Sequence, residues 1–183
     1  MTALTDAASK FDTSRAGEYE QQSRIALAGY DACHELAACV LAAALGSGST
    51  AQVLVAGAGG GAREIVTAGA LEPHWRFTAV DPSQPMMDLA VTRLTERGFL
   101  DRTEVVLGTV DDLPPDERFD AATLVGVLHH LPGDEAKRTI LRSIAQRLRP
   151  GAPLSSRAIT TPTRASRCSW QPGASAGVSR GKP

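Results

Sequence analysis

The residues with chemistry to offer are four glycines, one aspartate and two adjacent histidines. Gly57, Gly59, Gly60 and Gly61 follow the apolar run of residues 53–56 and lead into Ala62, Arg63, Glu64 and Ile65, which have helical character. Glycine adopts positive φ without strain and carries no Cβ to hold a ligand away. A strand, a glycine turn and a helix N-terminus, with its N–H groups and partial positive charge, together open a nucleotide-type site. The spacing fits two patterns, G-x-G-x-G through Gly57, Gly59 and Gly61, and G-x-G-x-x-A through Gly57, Gly59 and Ala62. It also fits a tight turn whose purpose is close packing of helix on strand. Asp81 closes a second apolar run 20 residues after Gly61. A carboxylate there is placed to accept hydrogen bonds from both hydroxyls of a ribose. Asp81, Pro82 and Ser83 are also turn and N-cap residues in their own right. His129 and His130 titrate near neutrality and suit a general base, or belong to a turn after a strand. Neither is assigned as catalytic, and no nucleophile or triad stands out, so the catalytic residue is unknown from sequence.

The elements around these residues alternate. Residues 1–16 are polar, lack periodicity and read as a flexible N-terminal arm. From about 17 to 45 the pattern is helical, interrupted at Gly29 and Tyr30, with Cys33, Leu36, Ala37, Val40, Leu41, Ala44 and Leu45 forming one apolar face. Strands are expected over 53–56, 76–81, 103–107 and 119–125. Helices are expected over about 62–70, over 85–97 with Met87, Ala90, Val91 and Leu94 inward and Gly98 as its stop, and over 134–149. The last has Asp134 as N-cap and a side formed by Ala136, Ile140, Leu141, Ile144, Ala145 and Leu148. Strands alternating with helices make an α/β fold, Rossmann-like and doubly wound, with a mainly parallel sheet.

Composition narrows the function classes. The 183 residues suffice for one domain, and a net charge of −1 gives no general attraction to nucleic acid or anionic membranes. The three cysteines, Cys33, Cys39 and Cys168, are too few and too scattered for a metal site, and Cys33 and Cys39 read as small core residues. No metal is expected. No apolar stretch is long enough to span a bilayer, so a cytoplasmic protein is the expectation.

Taken in order, five blocks resemble the class I S-adenosylmethionine-dependent methyltransferases. They are the residues 53–61, then Asp81, Ser83 and Met86, then Gly108, Asp111, Asp112, Leu113 and Pro114. Phe119 and Asp120 with Leu128, His129, His130 and Leu131 make the fourth, and Leu148, Arg149, Pro150 and Gly151 the fifth. The resemblance spans roughly 17–154, which is the expected S-adenosylmethionine-dependent methyltransferase-like domain. Phe11 and Asp12 with Gly29 and Tyr30 are similar to the branch that modifies the tRNA wobble uridine. The resemblance implies S-adenosyl-L-methionine as cofactor. It places Gly57, Ala58 and Gly59 under the methionine and ribose, counts Gly61 among the cofactor-binding residues, and puts Asp81 on the ribose hydroxyls and Met86 on the adenine. Thr109 and Val110 fall at the adenine edge, where many family members carry Asp in place of Thr109. Val125 falls near the methionine amino group, and Tyr30 covers the cofactor or is an ordinary half-buried aromatic. The acceptor implied is a small molecule, with tRNA as the alternative. The competing classes are a nicotinamide-dependent oxidoreductase built on the same glycines and Asp81, and a non-catalytic cofactor-binding remnant.

After Leu154 the pattern stops. Residues 155–183 hold five of the 19 basic residues and none of the 20 acidic ones, with Ser, Pro and Gly dominating. They read as a disordered basic tail, from a shifted reading frame or natural. The sheet is therefore expected to be incomplete at its C-terminal side, with an exposed edge strand, low solubility and weakened cofactor binding.

Overall fold

The computed structural model describes the backbone of residues 13–26 and 29–158. Phe11, Asp12 and nearly all of the expected tail lie outside the described residues. Ten principal elements follow one another: α1 (Thr13–Ala26), α2 (Tyr30–Leu45), β1 (Gln52–Ala56), α3 (Arg63–Leu71), β2 (Arg76–Asp81), α4 (Gln84–Arg97), β3 (Thr103–Leu107), β4 (Ala121–Val125), α5 (Gly133–Arg147) and β5 (Leu154–Arg157). The five strands form one parallel sheet in the order β3-β2-β1-β4-β5. Strand order reverses at β1, which lies between β2 and β4, and ligand crevices form at such a point outside the carboxyl ends of the strands.

The strands read as apolar runs because both faces are covered. Every residue of β4 is buried, as is all of β1 except Gln52. Val53 and Val55 point into one core with Leu41, Ile65, Trp75, Phe77, Ala90 and Leu94. Leu54 and Ala56 point into the other, with Val80, Phe119, Leu124 and Ile144. Trp75 donates its indole N–H to Ser49 Oγ at 3.2 Å, and buried Glu72 accepts the Gly48 N–H at 2.8 Å, so the link into β1 is tied to the turn before β2. Gly98, at φ 73°, ends α4 as expected and returns its N–H to the last turn.

Several expectations need correction. Helix α1 begins at Thr13, inside the stretch read as a flexible arm. Strand β5 takes in Ser155, Ser156 and Arg157, which the sequence boundary put in the tail; they pair in register with Thr123, Leu124 and Val125. The backbone ladder needs no apolar side chain, and Leu154 alone supplies the packing contact. On α2 the buried positions are His34, Ala38, Leu41 and Ala42, while Leu36 and Val40 are 65% and 53% exposed. Alanine fills so much of this helix that its apolar face has little contrast, and the face that docks on α3 is rotated from the expected one. Cys39 is exposed and Cys33 half-buried, so neither is a core residue. Asp134 is not the cap of α5: the helix starts at Gly133 after Pro132, with no side-chain cap bond.

Ile65 is fully buried in the first turn of α3, beneath the glycine loop. Ile65→Ala should lower unfolding stability by about 3 kcal/mol in urea titration, since truncation of a buried aliphatic side chain typically removes 2–5 kcal/mol.

Candidate functional site

A cleft opens at the carboxyl ends of β1, β2 and β4. Its walls include Gly57, Gly59, Asp81, Ser83, Met86, Thr109, Val110, Val125, Val127 and His130. The glycine loop forms one side. Gly57, at φ 76°, needs glycine twice over: the conformation is left-handed, and a Cβ would lie 2.3 Å from Val127 Cγ2. A Cβ on Gly59 would lie 2.5 Å from Asp81 Oδ2 and 2.6 Å from Met86 Cβ. Gly59 brings bare backbone up to the carboxylate and Gly57 up to Val127, and at neither position does a side chain fit.

Asp81 is almost completely buried, and its orientation is fixed from both sides. Oδ2 accepts the Gly59 N–H at 2.9 Å, and Oδ1 accepts the Ser83 N–H at 2.9 Å. Burial pushes its pKa above the usual carboxylate range, and the two backbone donors pull it part of the way back. Each oxygen has two acceptor sites, and the bonds made by the described residues take up one on each. The loop amides are committed as well. Gly57 and Ala58 both donate to Val80 O, at 2.8 and 3.2 Å, and Gly60 donates to Met86 O at 2.8 Å. With Gly59 on Asp81, four successive N–H groups point at the protein itself.

Opposite, Asp112 Oδ2 accepts both the N–H and the hydroxyl of Thr109, at 2.7 and 2.9 Å, closing the turn that carries Thr109 and Val110 to the cleft. Those two bonds lower the Asp112 pKa. Val110 is buried and apolar, as are Met86 and Val125, so the middle of the cleft is lined by hydrocarbon between polar ends.

Seven of the ten residues marked from sequence line the cleft together: Gly57, Gly59, Asp81, Met86, Thr109, Val110 and Val125. Three do not. Ala58 is buried in the core behind the loop. Gly61 faces outward, where a Cβ would meet Arg63 Cγ at 3.2 Å and the Glu20 carboxylate at 3.5 Å. Tyr30 starts α2 and packs edge-on against His34, with ring centres 4.7 Å apart, under the Arg24 guanidinium. The residues missed from sequence come mostly from β4 onward: Gly126, Val127 and Leu131, then Thr139, Ile140 and Ser143 of α5; His130, weighed from sequence and left without a role, lines the cleft with them. Ile140 was legible only as part of a core-facing helix side, and nothing in its spacing distinguishes core from cleft. The histidines divide: His130 lines the cleft, while the His129 ring packs on it at 3.9 Å and burial lowers its pKa.

Behind the loop lies a second buried pair. His34 Nδ1 is 3.9 Å from Glu64 Oε1, in the first turn of α3, and neither His34 nitrogen has a hydrogen-bond partner among the described residues. Burial pushes His34 down to about 4 and Glu64 up to about 7. The pair is therefore uncharged between those values, the cheaper state for two groups removed from water. Among the described residues no group of three or more His, Cys, Asp or Glu is arranged to hold a metal ion, and no helix is long and apolar enough to cross a membrane.

The family described as "Methyltransferase domain" matches residues 54–154. No curated protein sequence matches the chain. Among solved structures, the S-adenosylmethionine-dependent methyltransferase of Geobacter sulfurreducens, in complex with S-adenosyl-L-homocysteine, is 26% identical, with a TM-score of 0.50 over 64% of this chain and 45% of that one. DhpI in complex with S-adenosyl-L-homocysteine is 22% identical with a TM-score of 0.62, covering 88% and 72% of the two chains. The cyclase SpnF is 24% identical with a TM-score of 0.55, covering 67% and 43%. This chain thus spans less than half the length of the Geobacter protein and of SpnF. The last two likenesses show the fold, which does not by itself fix the reaction.

The buried pair gives opposite pH slopes. Glu64 titrates near 4.5 unfolded and about 7 folded, so its stabilising contribution is complete below 4.5 and is lost as pH rises toward 7. His34 titrates near 6.5 unfolded and about 4 folded, so its contribution is complete above 6.5 and is lost as pH falls toward 4. In the intact protein these slopes largely cancel. Glu64→Gln should gain stability from pH 4.5 to 6.5, and His34→Leu should lose it, each by roughly 2 kcal/mol, measured by denaturant titration across that range.

Proposed function

Because the chain belongs to the methyltransferase-domain family, we propose that it binds S-adenosyl-L-methionine in this cleft and transfers the methyl group to a small-molecule nucleophile. The observation that carries the reading is the contact of Gly59 with Asp81, bare backbone against a fixed, buried carboxylate whose oxygens each accept one bond from the described residues and have room for a second. A ribose diol matches that acceptor pair. Met86, Val110 and Val125 offer apolar walls for a purine and an aliphatic tail. The residues therefore fit the group. Gly57 and Gly59 would lie against the sugar and tail, Asp81 would hold the hydroxyls, and Thr109 and Val110 would border the base.

When bound, the cofactor supplies a methyl group on a positively charged sulfur, already activated for displacement. The protein's own task is then placement and exclusion of water. Asp81 fixes the sugar, and the loop sets the depth of the tail. Val127 and His130 close the wall where β4 ends. No side chain needs to form a covalent bond. We take residues 17–154 as the unit that performs this chemistry, in the cytoplasm.

The nicotinamide alternative fares worse on one point of geometry. A dinucleotide rests its pyrophosphate on the amides of its glycine loop, and here the four from Gly57 to Gly60 donate to Val80, Asp81 and Met86.

Calorimetric titration tests the assignment. S-adenosyl-L-homocysteine should bind with a Kd of roughly 1–100 μM, the range for a ligand contributing about 5.5–8 kcal/mol, and NAD should give no heat. Asp81→Asn, which exchanges an acceptor oxygen for a donor, should weaken binding by about tenfold or more. Tight NAD binding with none for S-adenosyl-L-homocysteine would overturn the assignment.

A further inference from the structure

Helix α1 is anchored by charge. Of its described side chains only Glu20 and Ser23 are half-buried; the others are exposed, Ile25 at 79%. Its sequence is mainly polar and offers no continuous apolar stripe, so among the described side chains charge is what joins it to the rest. Glu20 supplies the attachment. Its Oε1 accepts from Arg24 Nη2 at 2.7 Å in the same helix, and its Oε2 accepts from Arg93 Nη2 of α4 at 3.1 Å. Arg63 Nε, at the start of α3, lies 3.8 Å from Oε1. Arg63 also pairs with Asp31 of α2, and Arg93 with Glu96.

The same carboxylate faces the glycine loop across a shallow gap lined also by Gly60, Gly61 and Arg93, and a side chain added at Gly61 would run into it. The loop is bracketed by the two helices that Glu20 joins. Residue 63 follows it directly, and α4 holds it through Met86 O and the Gly60 N–H. Its last residue, Ala62, sits at φ 45°, a left-handed conformation that a non-glycine residue keeps only when its surroundings impose it. An isolated surface ion pair contributes little. Here three arginines from three helices converge on one carboxylate that is only 20% exposed.

We propose that Glu20 is a positioning residue for the glycine loop. Helix α1 is an ionic strap that holds Arg63 and Arg93, and through them both flanks of residues 57–62, in the geometry that shapes the cleft. Its consequence for ligand affinity rests on the S-adenosylmethionine reading, whereas the strap itself is a property of the free protein. Since the contacts are charge–charge and partly exposed, salt weakens them.

The test is amide hydrogen exchange on the full free chain, as wild type, Glu20→Gln and Glu18→Gln, the last a control at an exposed position of the same helix. Exchange of residues 57–60 should be about fivefold faster in Glu20→Gln. Raising salt to about 0.5 M should produce the same change in wild type. The strands β1 and β2 should be unaffected, and Glu18→Gln should match wild type. The Kd for S-adenosyl-L-homocysteine should rise in Glu20→Gln by a similar factor. Loop exchange equal in Glu20→Gln and wild type, or raised throughout the sheet, overturns the proposal. A loop loosened only by Glu20→Gln, with S-adenosyl-L-homocysteine bound by no variant, supports the strap and removes the cofactor reading instead.

Discussion

Gly59 and Asp81 compete for one small volume, and the competition is resolved only by leaving out a Cβ. Their contact depends on β1 and β2 lying side by side in parallel register, Ala56 against Val80, so that both chains leave the sheet at the same height. The two strands then exchange their last hydrogen bonds across the gap, through Gly57 and Ala58 onto Val80 and Gly59 onto Asp81. The packing of Ile65, Leu94 and Trp75 matters to function because it holds the helices that follow each strand, and with them the two ends of that contact. The cleft is a by-product of the sheet reversing direction at β1.

Charge is distributed differently on the two sides of the loop. Inside stands a single buried carboxylate with its pKa raised by burial. Outside, Glu20, Arg24, Asp31, Arg63 and Arg93 form a linked set drawn from four helices. Between them His34 and Glu64 are both neutral from about pH 4 to about 7, because burial lowers the one and raises the other.

Much of this was legible in the residues. The bounds of β2 and β3 follow from apolar runs closed by turn residues, and Gly57, Gly59 and Asp81 announce the cleft because their roles depend on backbone and on a short side chain. What escaped did so for physical reasons. In α2 the alanines blur any apolar face, and a histidine at the buried centre gives no hydrophobic signal. Ser155 to Arg157 extend the sheet through backbone pairing alone, which composition does not encode. Gly61 and Tyr30 lie near the loop in sequence or in fold, yet on its outer side; one-dimensional spacing does not separate the two faces of a turn. The contribution of α5 to the cleft depends on how far that helix slides along β4, a tertiary quantity.

The central claim is that the carboxylate of Asp81 grips a nucleoside sugar beside bare glycine backbone. A crystal structure of the full chain with S-adenosyl-L-homocysteine tests it most directly. The account predicts both ribose hydroxyls within about 3 Å of the Asp81 oxygens, the donor–acceptor distance of a hydroxyl–carboxylate bond, with the sugar against Gly57 and Gly59. A nucleoside bound elsewhere, or with its sugar directed away from Asp81, would contradict it.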